Sequence, residues 1–131
     1  MVRQAFYSDN KQMNYLNFFL ILVQVIINSA AQVLLKKGVA MLDFKQPIFS
    51  LLISIITNWY IFGGTAVFVL SLSVWIYLLS QFDLSFLYPM SSLAFVVAAF
   101  AGWLFLSETI SFGRGLGITL IMIGVICIAK S

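Results

Sequence analysis

The sequence predicts an all-α integral membrane fold: four transmembrane helices in an up-down bundle, with almost no soluble part. Composition is the first observation behind this. Of 131 residues, 63% are hydrophobic and 8% are charged, and the mean hydropathy is +1.09. A soluble domain carries about a quarter of its residues as charges, so seven Lys and Arg with four Asp and Glu cannot cover a water-facing surface. The second observation is segmentation: the apolar residues gather into four runs long enough to cross a hydrocarbon core of about 30 Å, joined by short polar connections.

Residues 1–14 are polar, and the apolar stretch that follows is too long and too well continued by further spans for a cleaved signal peptide. The first span is expected over about 15–35, with Lys36 and Lys37 on the dipole-favoured C-terminal end and Gly38 stopping the helix before a loop closed by Pro47. Residues 48–57 are apolar but too short to cross alone. They are expected either to lie at the membrane interface or to extend a second span over about 59–80 as one long tilted helix. Gln81-Phe82-Asp83 reads as a tight turn. The third span, about 85–106, holds Pro89 in its first turn, where a missing N–H is tolerated. Residues 107–111 are the last connection, and the fourth span covers about 112–129.

In that topology Arg3, Lys11 and Lys130 share one face of the membrane, and Lys36, Lys37, Lys45 and Arg114 share the other. Three against four is a weak orientation bias. It permits insertion both ways, and with it an antiparallel dimer.

Enzyme chemistry lacks its residues. The chain has no histidine and one cysteine, Cys127, inside an apolar run, and its acids are Asp9, Asp43, Asp83 and Glu108, no two spaced to share a helix face. Paired-carboxylate, Ser/His and metal-centred reactions are therefore not expected, and no metal or cofactor site is. The basic residues are too few and scattered for a nucleic-acid surface.

The spans instead carry uncharged polar groups in register. Gln24, Asn28 and Gln32 follow at four-residue steps, with Asn17 seven residues before Gln24 and Lys36 continuing the series at the membrane edge. Four-residue steps drift only about 40° on a 3.6-residue helix, so these side chains make one stripe. Lipid is a costly neighbour for amides, so the stripe faces a bundle interior or a cavity. It either hydrogen-bonds between helices or forms a polar groove that ends on a cation, suited to an anionic headgroup. Glu108 either simply pairs with Lys36 or Arg114, or orients one of them in a cationic mouth for phosphate oxygens. Tyr88-Pro89-Met90-Ser91-Ser92 predicts a bend that serves packing or lines a substrate path. Gly113, Gly117 and Gly124, the first two in GxxxG register, are expected to support close helix packing within the bundle or between protomers.

Together these pieces resemble a four-helix unit of the drug/metabolite transporter superfamily, over about residues 17–130. The stretch LSFLYPMSSLAFVVAAFAGWLFLSETISFGRGLGITLIMIGVICIA is similar to the superfamily's Tyr/Pro entry into the third span, its Ser-Glu near the end, and a Gly-rich fourth helix of the form GxxLIxxGV, here Gly117 to Val125. NSAAQVLLKKG resembles the family's first helix. The small multidrug resistance exporters exchange protons for cationic drugs through a carboxylate in span one, as antiparallel dimers. Here Asn28 occupies that place, and an amide cannot release a proton near neutral pH.

The region 82–95 looks more like the flippase subunits that move aminoarabinose-phosphoundecaprenol. That resemblance implies a dimeric transporter, with itself or a paralogue, in a bacterial cytoplasmic (inner) membrane. It would translocate a polyprenyl-phosphate-linked sugar or related anionic lipid, with Gln24, Asn28, Gln32, Lys36, Tyr88, Ser91, Glu108 and Arg114 binding substrate. The alternatives are a proton-coupled exporter of small cations using Glu108, and a non-transporting subunit that scaffolds a glycosyltransferase.

Overall fold

A computed structural model describes residues 15–131; Arg3, Asp9 and Lys11 lie outside the described residues. It is all-helical there, and four helical stretches are long and apolar enough to cross a membrane: Tyr15–Ala40, Trp59–Gln81, Leu84–Leu106 and Phe112–Lys130. The helices are α1 (Tyr15–Ala40), α2 (Ile48–Thr57), α3 (Trp59–Gln81), α4 (Leu84–Ser91), α5 (Leu93–Leu106) and α6 (Phe112–Lys130). Phenylalanines, leucines and isoleucines point outward along all of them. Water would penalise such a surface and lipid would not.

The first helix corrects one expectation. Gly38 does not stop it: α1 continues to Ala40 with Lys36, Lys37 and Gly38 inside it, and Gly38 is buried. The reason is tertiary. A Cβ on Gly38 would lie 2.5 Å from Ile61 Cγ1 and 3.0 Å from Ile61 N, so glycine is there to let α3 approach. Gly64 answers from α3, where a Cβ would meet Leu35 Cγ at 2.9 Å and Leu35 N at 3.0 Å. The pairs 38–61, 35–64 and 24–71 show α1 and α3 running antiparallel in close backbone contact. Small residues that let backbones approach are the main attractive device between helices in lipid.

Asn58 separates α2 from α3. Its backbone is extended (φ −75°, ψ 119°), and its side-chain oxygen accepts from Tyr60 N at 3.0 Å and Ile61 N at 3.2 Å, capping α3. Its amide also donates to the Gly38 carbonyl at 3.1 Å, tying the start of α3 to the end of α1. Residues 48–57 are therefore a separate helix and not an extension of α3. Ten residues rise only about 15 Å, and none of them is buried.

The third apolar stretch is broken into α4 and α5 at Ser92 (φ −63°, ψ −16°). Pro89 has no N–H to donate, and the hydroxyls behind it re-satisfy the local carbonyls. Ser91 Oγ donates to Leu87 O at 2.8 Å, and Ser92 Oγ bonds Pro89 O. On the far side of the break, Ser29 Oγ of α1 donates to Ala94 O at 3.4 Å.

The buried apolar cluster joins Ile21 of α1, Leu78 of α3, Leu87 and Met90 of α4 and Val125 of α6. It occupies the end of the bundle where α1 and α4 begin and α3 and α6 finish. The other end is held by Gly38 and Gly64 between α1 and α3. A Cβ on Gly113, Gly117 or Gly124 of α6 would meet nothing within 4 Å. Close packing within the bundle, one of the two roles expected of those three glycines, is thus not theirs; it falls to Gly38 and Gly64.

Candidate functional site

The polar stripe of α1 is present and passes from interior to groove. Gln24 is buried, and its amide donates to Ser71 Oγ of α3 at 3.3 Å, a bond that bridges two apolar helices. Asn28, one turn on, is half-buried, and Gln32 is exposed. Neither amide makes a side-chain hydrogen bond among the described residues. The stripe ends at Lys36, whose ammonium pairs with Glu108.

Lys36 and Glu108 stand at the mouth of a groove of about 490 Å³ between α1 and α5. Its α1 wall is Gln32, Val33, Leu35, Lys36 and Val39; its α5 wall is Ala98, Ala99, Gly102 and Leu106. Small residues on α5 make the groove. Ala98 and Gly102 are one helical turn apart, so their short side chains leave a channel along that face.

The loop after α5 delivers Glu108 into it. Ser107 takes a left-handed backbone (φ 55°, ψ 32°), a region that costs a residue with a Cβ and is commonly filled by glycine at helix ends. The chain turns back, and Glu108 N donates to Gly102 O at 3.1 Å. The carboxylate then rests over Gly102, where a Cβ would lie 2.8 Å from Oε2. Glu108 is partly shielded and Lys36 exposed, with side-chain exposures of 37% and 61%.

Of the eight residues expected to bind substrate, the structure brings Gln32, Lys36 and Glu108 together and sets Gln24 and Asn28 on the same helix leading to them. The other three lie outside the groove. Arg114, at the start of α6, donates from Nη1 to Thr109 O at 3.5 Å, and its backbone N–H to Ser111 Oγ at 3.4 Å. Tyr88 is exposed on α4 and meets Trp75 edge-on, ring centroids 5.5 Å apart at 89°. Ser91 is spent on the α4 carbonyl of Leu87. The cationic mouth is thus one ammonium and one carboxylate, the ion pair found among the described residues.

Gly102, Ser29 and Ser71 are the participants that sequence reasoning does not single out. For Gly102 a signal exists in the small residues of AFVVAAFAGW, spaced Ala98-xxx-Gly102. For Ser29 and Ser71 no sequence signal separates them from the other serines of the spans.

Comparison of this chain with protein-family models, with characterised proteins and with solved structures returns no match.

Proposed function

We propose that this protein is a transporter moving a polyprenyl-phosphate-linked sugar or a related anionic lipid across a bacterial cytoplasmic membrane. One observation carries the reading: the groove between α1 and α5 has an amphipathic lining. Valine, leucine and alanine side chains make most of it, while Gln32 and, one turn further along α1, the Lys36–Glu108 pair supply its polar groups. That mixed lining matches a molecule with an apolar tail and a charged head. The amides of Asn28 and Gln32, without a side-chain hydrogen bond among the described residues, extend a polar track back toward the middle of α1, a route for a headgroup whose tail stays in lipid. Desolvated amides in a span are costly without a purpose.

In this reading the four long helices cross the membrane up and down in turn. The α2 helix lies along the interface, its apolar side chains in the acyl boundary and the neighbouring Trp59 and Tyr60 at headgroup depth. The chain works as a dimer, with itself or a paralogue. The open glycine face of α6, where a Cβ meets nothing within 4 Å among the described residues, supports a contact between copies.

A second reading is favoured by the same mouth. Glu108 is an acid lining the groove, and an exporter of small cations could load and release protons there. The Lys36 ammonium beside it repels a cationic cargo, which ranks this reading second.

Reconstitution in proteoliposomes decides between them. Lys36→Ala should abolish translocation of a polyprenyl-phosphate-linked sugar, while Arg114→Ala, outside the groove, should leave it unchanged. Full flipping by the Lys36 variant would refute the phosphate mouth. Proton release on binding a lipophilic cation, measured by calorimetry in two buffers of different ionisation enthalpy, would instead establish the exporter.

A further inference from the structure

We propose that Glu108 is a built-in competitor for the anion subsite of this groove: its carboxylate occupies the position on Lys36 that a phosphate group takes, and the incoming lipid displaces it. The inference rests on the anionic-lipid reading above and adds which atoms recognise the phosphate and what holds that place when the groove is empty.

Four features of the chain converge on that position. Ser107 adopts a left-handed backbone where a side chain is unfavourable, and the effect is to turn the next residue back over α5 instead of out to water. Glu108 is then fastened by its own N–H to Gly102 O at 3.1 Å. Gly102 lacks the Cβ that would stand 2.8 Å from Oε2 and 3.4 Å from Cδ, so the carboxylate has a seat that any larger residue fills. Lys36 reaches that seat from the opposite wall, 72 residues away in sequence.

The rest of the groove wall is apolar apart from Gln32. With Glu108 in place the mouth is electrically neutral; with Glu108 swung out it holds a single cation in amphipathic surroundings. A lipid phosphomonoester brings more negative charge and more acceptor oxygens than one carboxylate; the phosphodiester of a phosphate-linked sugar matches the carboxylate in both, and burial of its lipid tail on the apolar groove wall favours the exchange. The exchange is also easy to start. Both partners of the pair are reachable by solvent, and ion pairs so exposed contribute little to stability. A contact that serves only to hold the fold has no need of a left-handed serine and a vacant Cβ position to aim it.

The test uses the purified full-length chain in detergent micelles, titrated with geranylgeranyl phosphate and read by tryptophan fluorescence, with geranylgeraniol and inorganic phosphate as the comparison ligands. Glu108→Gln should bind the lipid phosphate about 3- to 5-fold more tightly than the unaltered chain, the gain set by loss of an exposed ion pair. Gly102→Ala should tighten it too, because the new methyl unseats the carboxylate while leaving its charge in the chain. Lys36→Ala should weaken binding and cancel both gains. If Lys36→Ala weakens binding but Glu108→Gln leaves it unchanged or weaker, the competitor role is overturned and the anionic-lipid reading stands. If geranylgeraniol binds as well as its phosphate and no variant matters, both are overturned. If inorganic phosphate binds as tightly as the lipid with the same dependence on Glu108, the displacement is supported and the lipid origin of the anion is overturned.

Discussion

Replacing Gly64 with alanine should destabilise this protein, while the same change at its neighbour Gly63 should not. The new Cβ at Gly64 would sit 2.9 Å and 3.0 Å from Leu35 Cγ and Cδ2, and 3.0 Å from Leu35 N. Carbon atoms at rest lie about 3.5–4.0 Å apart, so the methyl overlaps by roughly half an ångström or more. The leucine side chain can rotate away, but the backbone nitrogen yields only if α1 itself moves. Overpacking of this kind costs about 1–3 kcal/mol. At Gly63 a Cβ meets nothing within 4 Å, and alanine there should be neutral or gain up to ~1 kcal/mol of helix propensity. The two neighbours should therefore differ by about 2 kcal/mol, roughly a 30-fold difference in the unfolding equilibrium. Reversible unfolding in mixed micelles with increasing sodium dodecyl sulfate, followed by helical circular dichroism, measures it. Gly117→Ala on α6 serves as a second control, with no loss of protomer stability expected. Equal stability of the Gly63 and Gly64 variants would refute the close approach of α1 and α3.

Two further tests probe the polar joints of the bundle. A double-mutant cycle on Gln24→Leu and Ser71→Ala should report a coupling of about 0.6 kcal/mol, the usual worth of a hydrogen bond between membrane helices; additivity would mean the two side chains do not meet. Asn58→Ala removes the cap of α3 and its tie to Gly38 together, and should lower stability by about 1–2 kcal/mol in the same unfolding assay. Asn58→Asp keeps the capping oxygen but loses the donor to Gly38, so it should recover only part of the loss.

Much of the architecture was legible along the chain because lipid leaves so few options. Within a bilayer every backbone group must be paired inside its own segment, so long apolar runs become helices and the short polar stretches become connections. The break near Pro89 and the start of α6 after Ser111 follow from proline chemistry and a local cap, which act within a few residues. The stripe from Gln24 to Lys36 was visible for the same reason, since helical period alone sets which side chains share a face.

What the sequence could not decide was what each stripe and each glycine faces. Gly38 reads as a helix stop, yet it lies inside α1 because Ile61 needs its space. The GxxxG register of Gly113 and Gly117 draws attention to α6, while the close helix contact is made by Gly38 and Gly64, separated by 26 positions and on different helices. Along the sequence, Glu108 can pair with either Lys36 or Arg114. The loop aims Glu108 at Lys36 across the groove and leaves Arg114 on its own turn. Local sequence determines helices and their faces, because those interactions reach only a turn or two. Which faces meet depends on the fit of side chains from distant segments, and the tertiary structure alone decides that fit: here it closes α1 on α3 and leaves a groove, with its ion pair, between α1 and α5.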